Sequence, residues 1–310
     1  MSLFCVTGAF GYSGRFIAEE LLAAGHQVRT LTGSMQRENP FGDQVAVFPL
    51  AFDDPEALGA ALAGVDVLVN TYWVRFSEAG FSQSVAVENT RRLFEAAVAA
   101  GVGRVVHVSI TNPSLDSPYE YFRGKARLEQ ALVAAGLPHS ILRPAVFFGG
   151  PDILLNNIAW MLRRFPVVGV FGSGQYRIQP IHVVDFARLV VEESFAGGER
   201  VIDAIGPETF TYRELVETIG RAIGKRRMIV GLPPWLMLAF ARVMGALLRD
   251  VLVTREEVLA LMDGLLATES PPAGTTQLSG WLEQHARTLG RRYGNELARR
   301  RDRKREYARL

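Results

Sequence analysis

The stretch Thr7-Gly8-Ala9-Phe10-Gly11-Tyr12-Ser13-Gly14 decides how the rest of the chain is read. An apolar, β-branched run, Leu3–Thr7, leads into it, and residues 14–24, with leucine and alanine at helical spacing, lead out of it. In that context each glycine has a mechanical reason. Gly8 permits the tight turn, Gly11 lets the backbone approach a pyrophosphate, and Gly14 lets the helix pack closely on the strand, so that the helix N-terminus faces phosphate charge. The pattern predicts a dinucleotide site built on Gly8, Gly11 and Gly14, with Phe10 and Tyr12 of the same turn beside the ligand.

Outward from the turn, short apolar runs keep alternating with segments of helical period. Strands are expected over Leu3–Thr7, Gln27–Thr32, Val45–Pro49, 65–71, 104–109 and 140–143. Each is nearly continuous in apolar residues, as strands buried on both faces of a parallel sheet are. Helices are expected over 14–24, 55–63, 85–100 and 121–135, with Gly25, Gly64, Gly101 and Gly136 just beyond them, where a left-handed residue closes a helix. The alternation predicts the α/β class, a doubly wound parallel sheet of the Rossmann kind. After Pro144 the rhythm changes to helices broken by Gly/Pro turns, with short strand candidates at 168–171, Arg200–Ala204 and 228–230. This predicts a smaller, mainly helical C-terminal lobe. The expected division is a dinucleotide-binding domain over 1–150, to which 178–198 returns, a substrate-binding lobe over 151–298, and a basic tail over 299–310.

Composition narrows the classes. With 48% hydrophobic and 21% charged residues the chain is an ordinary folded protein and not a disordered one. The single cysteine, Cys5, excludes an intramolecular disulfide and a thiolate-rich zinc site, and it fits a reducing, cytoplasmic setting. The start, MSLFCVTGAF, has no basic region ahead of an apolar one, so no signal peptide is expected. The five histidines show no ligand spacing with one another or with paired acids, so no metal is expected. The net charge of +2 hides an asymmetry: residues 291–310 hold nine Arg/Lys against three acids, a local +6, which leaves −4 for the other 290 residues. The tail reads as a docking helix from about residue 278 with a solvated, frayed end. It lacks interleaved aromatics and any recognisable module, so no nucleic-acid partner is expected. The most apolar stretch, LPPWLMLAFARVMGALL at 232–248, contains Arg242 and is shorter than the roughly 20 residues of a membrane span. It reads as a helix covering the core of the second lobe or lining its cleft; the alternative is peripheral contact with a membrane or a protein, shared with the basic tail.

An acid at the end of the second strand would hydrogen-bond a ribose 2′-hydroxyl and repel a 2′-phosphate. Here the residues are Thr32-Gly33-Ser34-Met35-Gln36-Arg37, hydroxyls and a guanidinium. Thr32 and Arg37 are therefore candidate cofactor contacts, and the preference is for NADP, with NAD as the alternative.

Taken in order, these residues resemble the short-chain dehydrogenase/reductase superfamily in its extended and atypical branches. GAFGYSG is similar to the extended GxxGxxG turn, Tyr121-Phe-Arg-Gly-Lys125 fits the YxxxK pair, and Ser109 ends the fifth strand where that family often has a hydroxyl. Arg143-Pro144 resembles its RP motif and His182-Val-Val-Asp185 its HVxD motif. The closest subgroup includes relatives of the 39-kDa accessory subunit of respiratory complex I and NmrA-like regulators. The resemblance implies an oxidoreductase or epimerase acting at a carbonyl or alcohol centre of a small, partly apolar substrate. Tyr121 would exchange the proton; Lys125, at i+4 on the same helix face, would favour phenolate and also hydrogen-bond the nicotinamide ribose. Ser109 would polarise the substrate oxygen, with Thr111 and Ser114 as rivals because Ser109 precedes Tyr121 by only twelve residues. The subgroup also implies a second reading, a non-catalytic nucleotide sensor or assembly factor. One departure stands out: Ala51 falls where the family commonly has an acid near adenine, and Asp53 either replaces it or caps the helix beginning at Pro55. Trp73, Arg75, Phe76, Phe147, Asn157 and Tyr176 are candidate pocket residues and favour a mainly apolar ligand. His107 reads as a packed strand residue, and His182 and Asp185 as residues that orient the second lobe.

Overall fold

Strands that are apolar on both sides need cover on both faces, and this chain supplies it by alternating them with helices. The computed structural model describes residues 1–75, 77 and 82–307; Phe76 lies outside the described residues. In chain order the first elements are β1 (Leu3–Thr7), α1 (Tyr12–Ala23), β2 (Gln27–Thr32), β3 (Val45–Pro49), α2 (Pro55–Leu62), β4 (Val67–Asn70), α3 (Gln83–Ala99), β5 (Arg104–Val108), α4 (Glu120–Ala134) and β6 (His139–Pro144). There follow β7 (Val146–Phe148), α5 (Leu154–Arg164), β8 (Val167–Phe171), β9 (Arg177–Ile178), β10 (Pro180–His182), α6 (Val183–Glu193) and β11 (Arg200–Ala204). The last are β12 (Phe210–Thr211), α7 (Tyr212–Ala222), β13 (Met228–Leu232), α8 (Pro234–Leu248), α9 (Arg255–Met262), α10 (Leu278–His285) and α11 (Glu296–Arg301).

The chain forms two compact units. The first comprises Met1–Pro144, Phe186–Asp203 and residues 303–307. Its sheet has the order β3-β2-β1-β4-β5-β6-β11, and β1 pairs in parallel with both β2 and β4, so the strand order reverses between β1 and β4. That reversal leaves a crevice at the strands' C-terminal ends, where the glycine turn lies. Leu31, Leu58, Leu68, Phe94, Val105 and Ile141 form one buried cluster between sheet and helices. Side chains start two of the helices: Asp54 accepts from the Ala57 N–H for α2 and Ser82 from the Val85 N–H for α3. Gly25, Gly64, Gly101 and Gly136 take φ of 80°, 71°, 70° and 68°, the left-handed values that end a helix at little cost in glycine.

Two expectations change here. Arg200–Ala204 was expected among the strands of the second lobe, but as β11 it is the outer strand of the main sheet, and the returning segment runs from Phe186 to Asp203. Buried Arg104 at the start of β5 explains the docking, since its guanidinium donates to the carbonyls of Glu193, Gly198 and His139 and to Ser140 Oγ. The tail also differs from a frayed end. Within the first unit, Arg303 donates to the Gly33 carbonyl at 3.1 Å, the Glu38 N–H donates to the Lys304 carbonyl at 2.8 Å, and Glu306 pairs with Arg15 at 2.5 Å.

The second unit comprises Ala145–Asp185 and Ala204–Asp302. It holds three two-stranded pairs, β7 with β10, β9 with β12 and β8 with β13. Ile158, Leu215, Ile219, Trp281 and Leu282 from α5, α7 and α10 form its core with Phe148. Thr211 and Glu214 make a reciprocal capping box at the start of α7, and Thr254 and Glu257 make another for α9. The expectation that residues 232–248 cover this core is corrected: α8 buries only Gly245 and leaves Trp235, Phe240, Val243 and Leu247 exposed.

Candidate active site

The glycine turn is tightly determined. Gly8 sits at φ +72° with its N–H bonded to the Leu31 carbonyl at 2.8 Å, and the Gly11 N–H closes back on the Gly8 carbonyl at 2.8 Å. A Cβ on Gly14 would lie 2.3 Å from the Gly8 carbonyl oxygen, so only glycine allows α1 to start there. No side chain caps α1 and no acid lies in its first turn, so its leading N–H groups and positive dipole end suit a phosphate ligand. Phe10 is buried beside Phe41, and Tyr12 lies edge to face with Phe16 in α1. At the end of β2 Thr32 is buried and its hydroxyl accepts from the Ser34 N–H; Arg37 is buried with its guanidinium over the Tyr307 ring at 5.8 Å. Asp53 does not cap α2, a role that falls to Asp54; it is exposed and pairs with Arg92 of α3.

The second cluster lies on α4 and its neighbours. Lys125 is buried, donates to the Val108 carbonyl at 2.7 Å, and sits 4.5 Å above the Trp73 ring. Burial pushes its ammonium down to about 7, with the nearby Glu129 acting in the opposite sense. Tyr121, one helical turn earlier, meets the Trp73 ring edge to face at 5.4 Å. Gly124, between them in sequence, has a packing reason: a Cβ there would come within 2.7 Å of the indole. Among the described residues the buried Trp73 Nε1 finds no hydrogen-bond partner, on the ring that Tyr121 and Lys125 touch. Ser109 is engaged elsewhere. Its hydroxyl donates to Glu129 at 2.5 Å, and Arg143 grips the same carboxylate through Nε at 3.0 Å and Nη2 at 2.5 Å.

Comparison with known proteins bears on the fold and on nucleotide binding. Residues 8–156 match a family described as NAD(P)H-binding. Over 239 residues the chain is 29% identical to the mitochondrial NADH dehydrogenase [ubiquinone] 1 alpha subcomplex subunit 9 of Arabidopsis thaliana, covering 74% of this chain and 60% of that protein. It is 28% identical to the mitochondrial NADH-ubiquinone oxidoreductase 40 kDa subunit of Neurospora crassa, covering 82% of this chain and 68% of that protein. Among solved structures, an NADPH-dependent quinone oxidoreductase from Escherichia coli bound to NADPH superimposes with a TM-score of 0.73 at 22% identity, covering 91% of this chain and 99% of that one. The chain resembles the extended short-chain dehydrogenase/reductase-like proteins. It has a Rossmann-like α/β fold of the NAD(P)-binding kind. It spans about 60% of the length of the Arabidopsis relative.

The remaining candidate residues fall in different places. Trp73 and Arg75 belong to the first unit, and Phe147, Asn157 and Tyr176 to the second. Asn157 serves structure there: it donates to the Gly294 carbonyl and accepts from the Gly294 N–H, both at 2.9 Å. Tyr176 stacks on Tyr212 against the core, and burial raises its phenol well above the usual range. Phe147 lies in β7 opposite Ile181. Asp185 gathers the N–H groups of Thr275 and Thr276 and the Thr276 hydroxyl, and His182 packs against Phe148. His107 faces Asn70 Nδ2 at 3.1 Å, and burial and the neighbouring Lys125 push its pKa well below the ordinary value. Sequence reasoning missed Glu129 and the 303–307 segment. Glu129 follows Lys125 by four residues and thus shares its helix face, which was a readable signal; nothing in sequence spacing brings residue 303 to residue 33.

Proposed function

We propose that this chain is an NADP(H)-dependent oxidoreductase acting at a carbonyl or alcohol centre of a small, mainly apolar substrate. The observation that carries the proposal is the grouping of Tyr121, Lys125 and the unpartnered Trp73 N–H, in the same unit as the uncapped, glycine-lined start of α1. The turn at Gly8, Gly11 and Gly14 fits a dinucleotide pyrophosphate, because Gly14 lets α1 start against the Gly8 backbone while its first turn carries no side-chain cap and no acid. When bound, the nicotinamide supplies the hydride equivalent. Tyr121 gives its proton to the substrate oxygen during reduction and takes it back during oxidation. Lys125 lies near neutrality in pKa and favours the phenolate when charged. The Trp73 N–H donates to the same oxygen, the role expected of Ser109, whose hydroxyl already serves Glu129. The lack of an acid at the end of β2, with hydroxyls and Arg37 in the residues that follow, supports NADP over NAD. The NADPH-bound quinone oxidoreductase of Escherichia coli is consistent with a flat, apolar substrate.

Tyr121→Phe tests this reading. Turnover across a panel of quinones, aldehydes and ketones should fall by about 100-fold or more, the usual size of a lost proton-transfer group, while NADPH affinity stays within about twofold. One observation favours a second reading, a nucleotide-holding subunit or assembly factor without turnover: the Ser109 hydroxyl is committed to the Glu129–Arg143 pair, and the two relatives described above are named as respiratory-complex subunits. Tight NADPH binding with no turnover on the whole panel decides for it.

A further inference from the structure

α8 combines an apolar sequence with an exposed position. A helix apolar all round is ordinarily buried. Here Trp235 is 70% exposed, Phe240 48%, Val243 61% and Leu247 73%, whereas Gly245 is the helix's buried residue. At about 100° per residue, Trp235, Ala246, Ala239, Val243, Leu236, Leu247 and Phe240 follow one another around one half of the cylinder. Met237, Ala241, Gly245 and Leu248 fall on the other half, and a Cβ on Gly169 of β8 would run into Met237 Sδ, which identifies the packed side. Exposed Arg242 and Arg249, two turns apart on one line, border the open half next to Trp235. Along the sequence from Lys225 to Arg249 there are five cations, Lys225, Arg226, Arg227, Arg242 and Arg249, and no acid, and the acid that follows, Asp250, is buried.

We propose that α8 is a docking surface for a lipid bilayer carrying anionic headgroups. Its exposed half is a convex apolar ridge about 22 Å long, at 1.5 Å per residue, and not a groove shaped for a peptide. A tryptophan at its start suits the headgroup boundary, and arginines along its border reach phosphates while their stems lie on apolar surface. Among the described residues no helix is long and apolar enough to cross a membrane, so the contact is peripheral, with the helix lying in the interface. The uniformly cationic run makes the surface complementary to an anionic leaflet, with each arginine near the surface contributing roughly fivefold in binding.

The test is co-sedimentation of the full chain with vesicles of phosphatidylcholine alone and of phosphatidylcholine containing about one third phosphatidylglycerol. The wild type should bind the anionic vesicles more tightly, and less so at high salt. Phe240→Asp with Val243→Asp should weaken that binding at least tenfold, and Arg242→Gln with Arg249→Gln should reduce the preference for anionic over neutral vesicles by about an order of magnitude. All four positions are exposed, and unchanged NADPH affinity serves as the check on folding. Absence of wild-type binding to either vesicle overturns the proposal, as does equal binding by the aspartate variant. A dimer in light scattering that Phe240→Asp dissociates also overturns it, since the ridge would then be covered by a second copy. None of these outcomes depends on catalysis at Tyr121.

Discussion

Lys125 has traded water for one carbonyl, the face of an indole and a neighbouring carboxylate, and its depressed pKa follows from that exchange. Its stability consequence has a definite sign. The native ammonium loses its proton at about 7 and the unfolded one at 10.5, so between those values the unfolded chain binds more protons and stability rises with pH. Asp152 acts in a different window. It is buried, its carboxylate accepts from the Leu155 and Asn156 N–H groups, and burial raises it from 3.8 to about 7. The native chain therefore holds the extra proton between those values, and stability falls as pH rises from about 4 to 7. Urea midpoints of the wild type should dip near pH 7; Lys125→Met should flatten the alkaline limb and Asp152→Asn the acid limb. Cys5 is also perturbed, with its thiol pushed up to about 12 by burial, which makes it a small hydrophobe and a poor nucleophile.

At the scale of elements, the loop after β2 is held by the far end of the chain. The Lys304 carbonyl accepts from the Glu38 N–H, Arg303 donates to the Gly33 carbonyl, Tyr307 lies against the Arg37 guanidinium, and Glu306 pairs with Arg15 in the first turn of α1. A chain ending at Asp302 should therefore show faster hydrogen exchange at Glu38 and a weaker NADPH affinity, by several-fold, with the larger loss for NADPH than for NADH. Exchange mass spectrometry and paired titrations measure both, and unchanged Glu38 exchange would show that the tail does not order this loop. The Ser109–Glu129–Arg143 network belongs to the same scale, since it ties β5, α4 and β6 through one carboxylate. Removing one partner of such a part-buried pair leaves a charge without compensation. Glu129→Ala should cost about 3 kcal/mol, measured as a shift in urea midpoint.

For the whole molecule, a ligand that binds only the native first unit stabilises it by mass action. NADPH at 100 times its dissociation constant should add about 2.7 kcal/mol to that unit, seen as an upward shift in melting temperature. Exchange protection should concentrate at Gly8–Gly14 and 32–37, whose backbone the ligand would cover. A shift without that protection would place the ligand elsewhere. The strands β1 to β6, their four helices and the glycine turn were legible because each is coded locally, by short continuous apolar runs, by the helical period of 3.6, by left-handed glycines and by a turn that excludes a Cβ. The positions of Tyr121 and Lys125 followed from the same register. Three features depended on contacts between residues far apart in sequence. β11 joins the main sheet because Arg104 needs the carbonyls of Glu193 and Gly198, the Ser109 hydroxyl faces Glu129 because β5 and α4 pack together, and residues 303–307 lie on the β2 loop. The apolarity of α8 was plain from the sequence, but which half stays open was decided by how α8 packs beside β8, because local periodicity describes a helix and not what covers it.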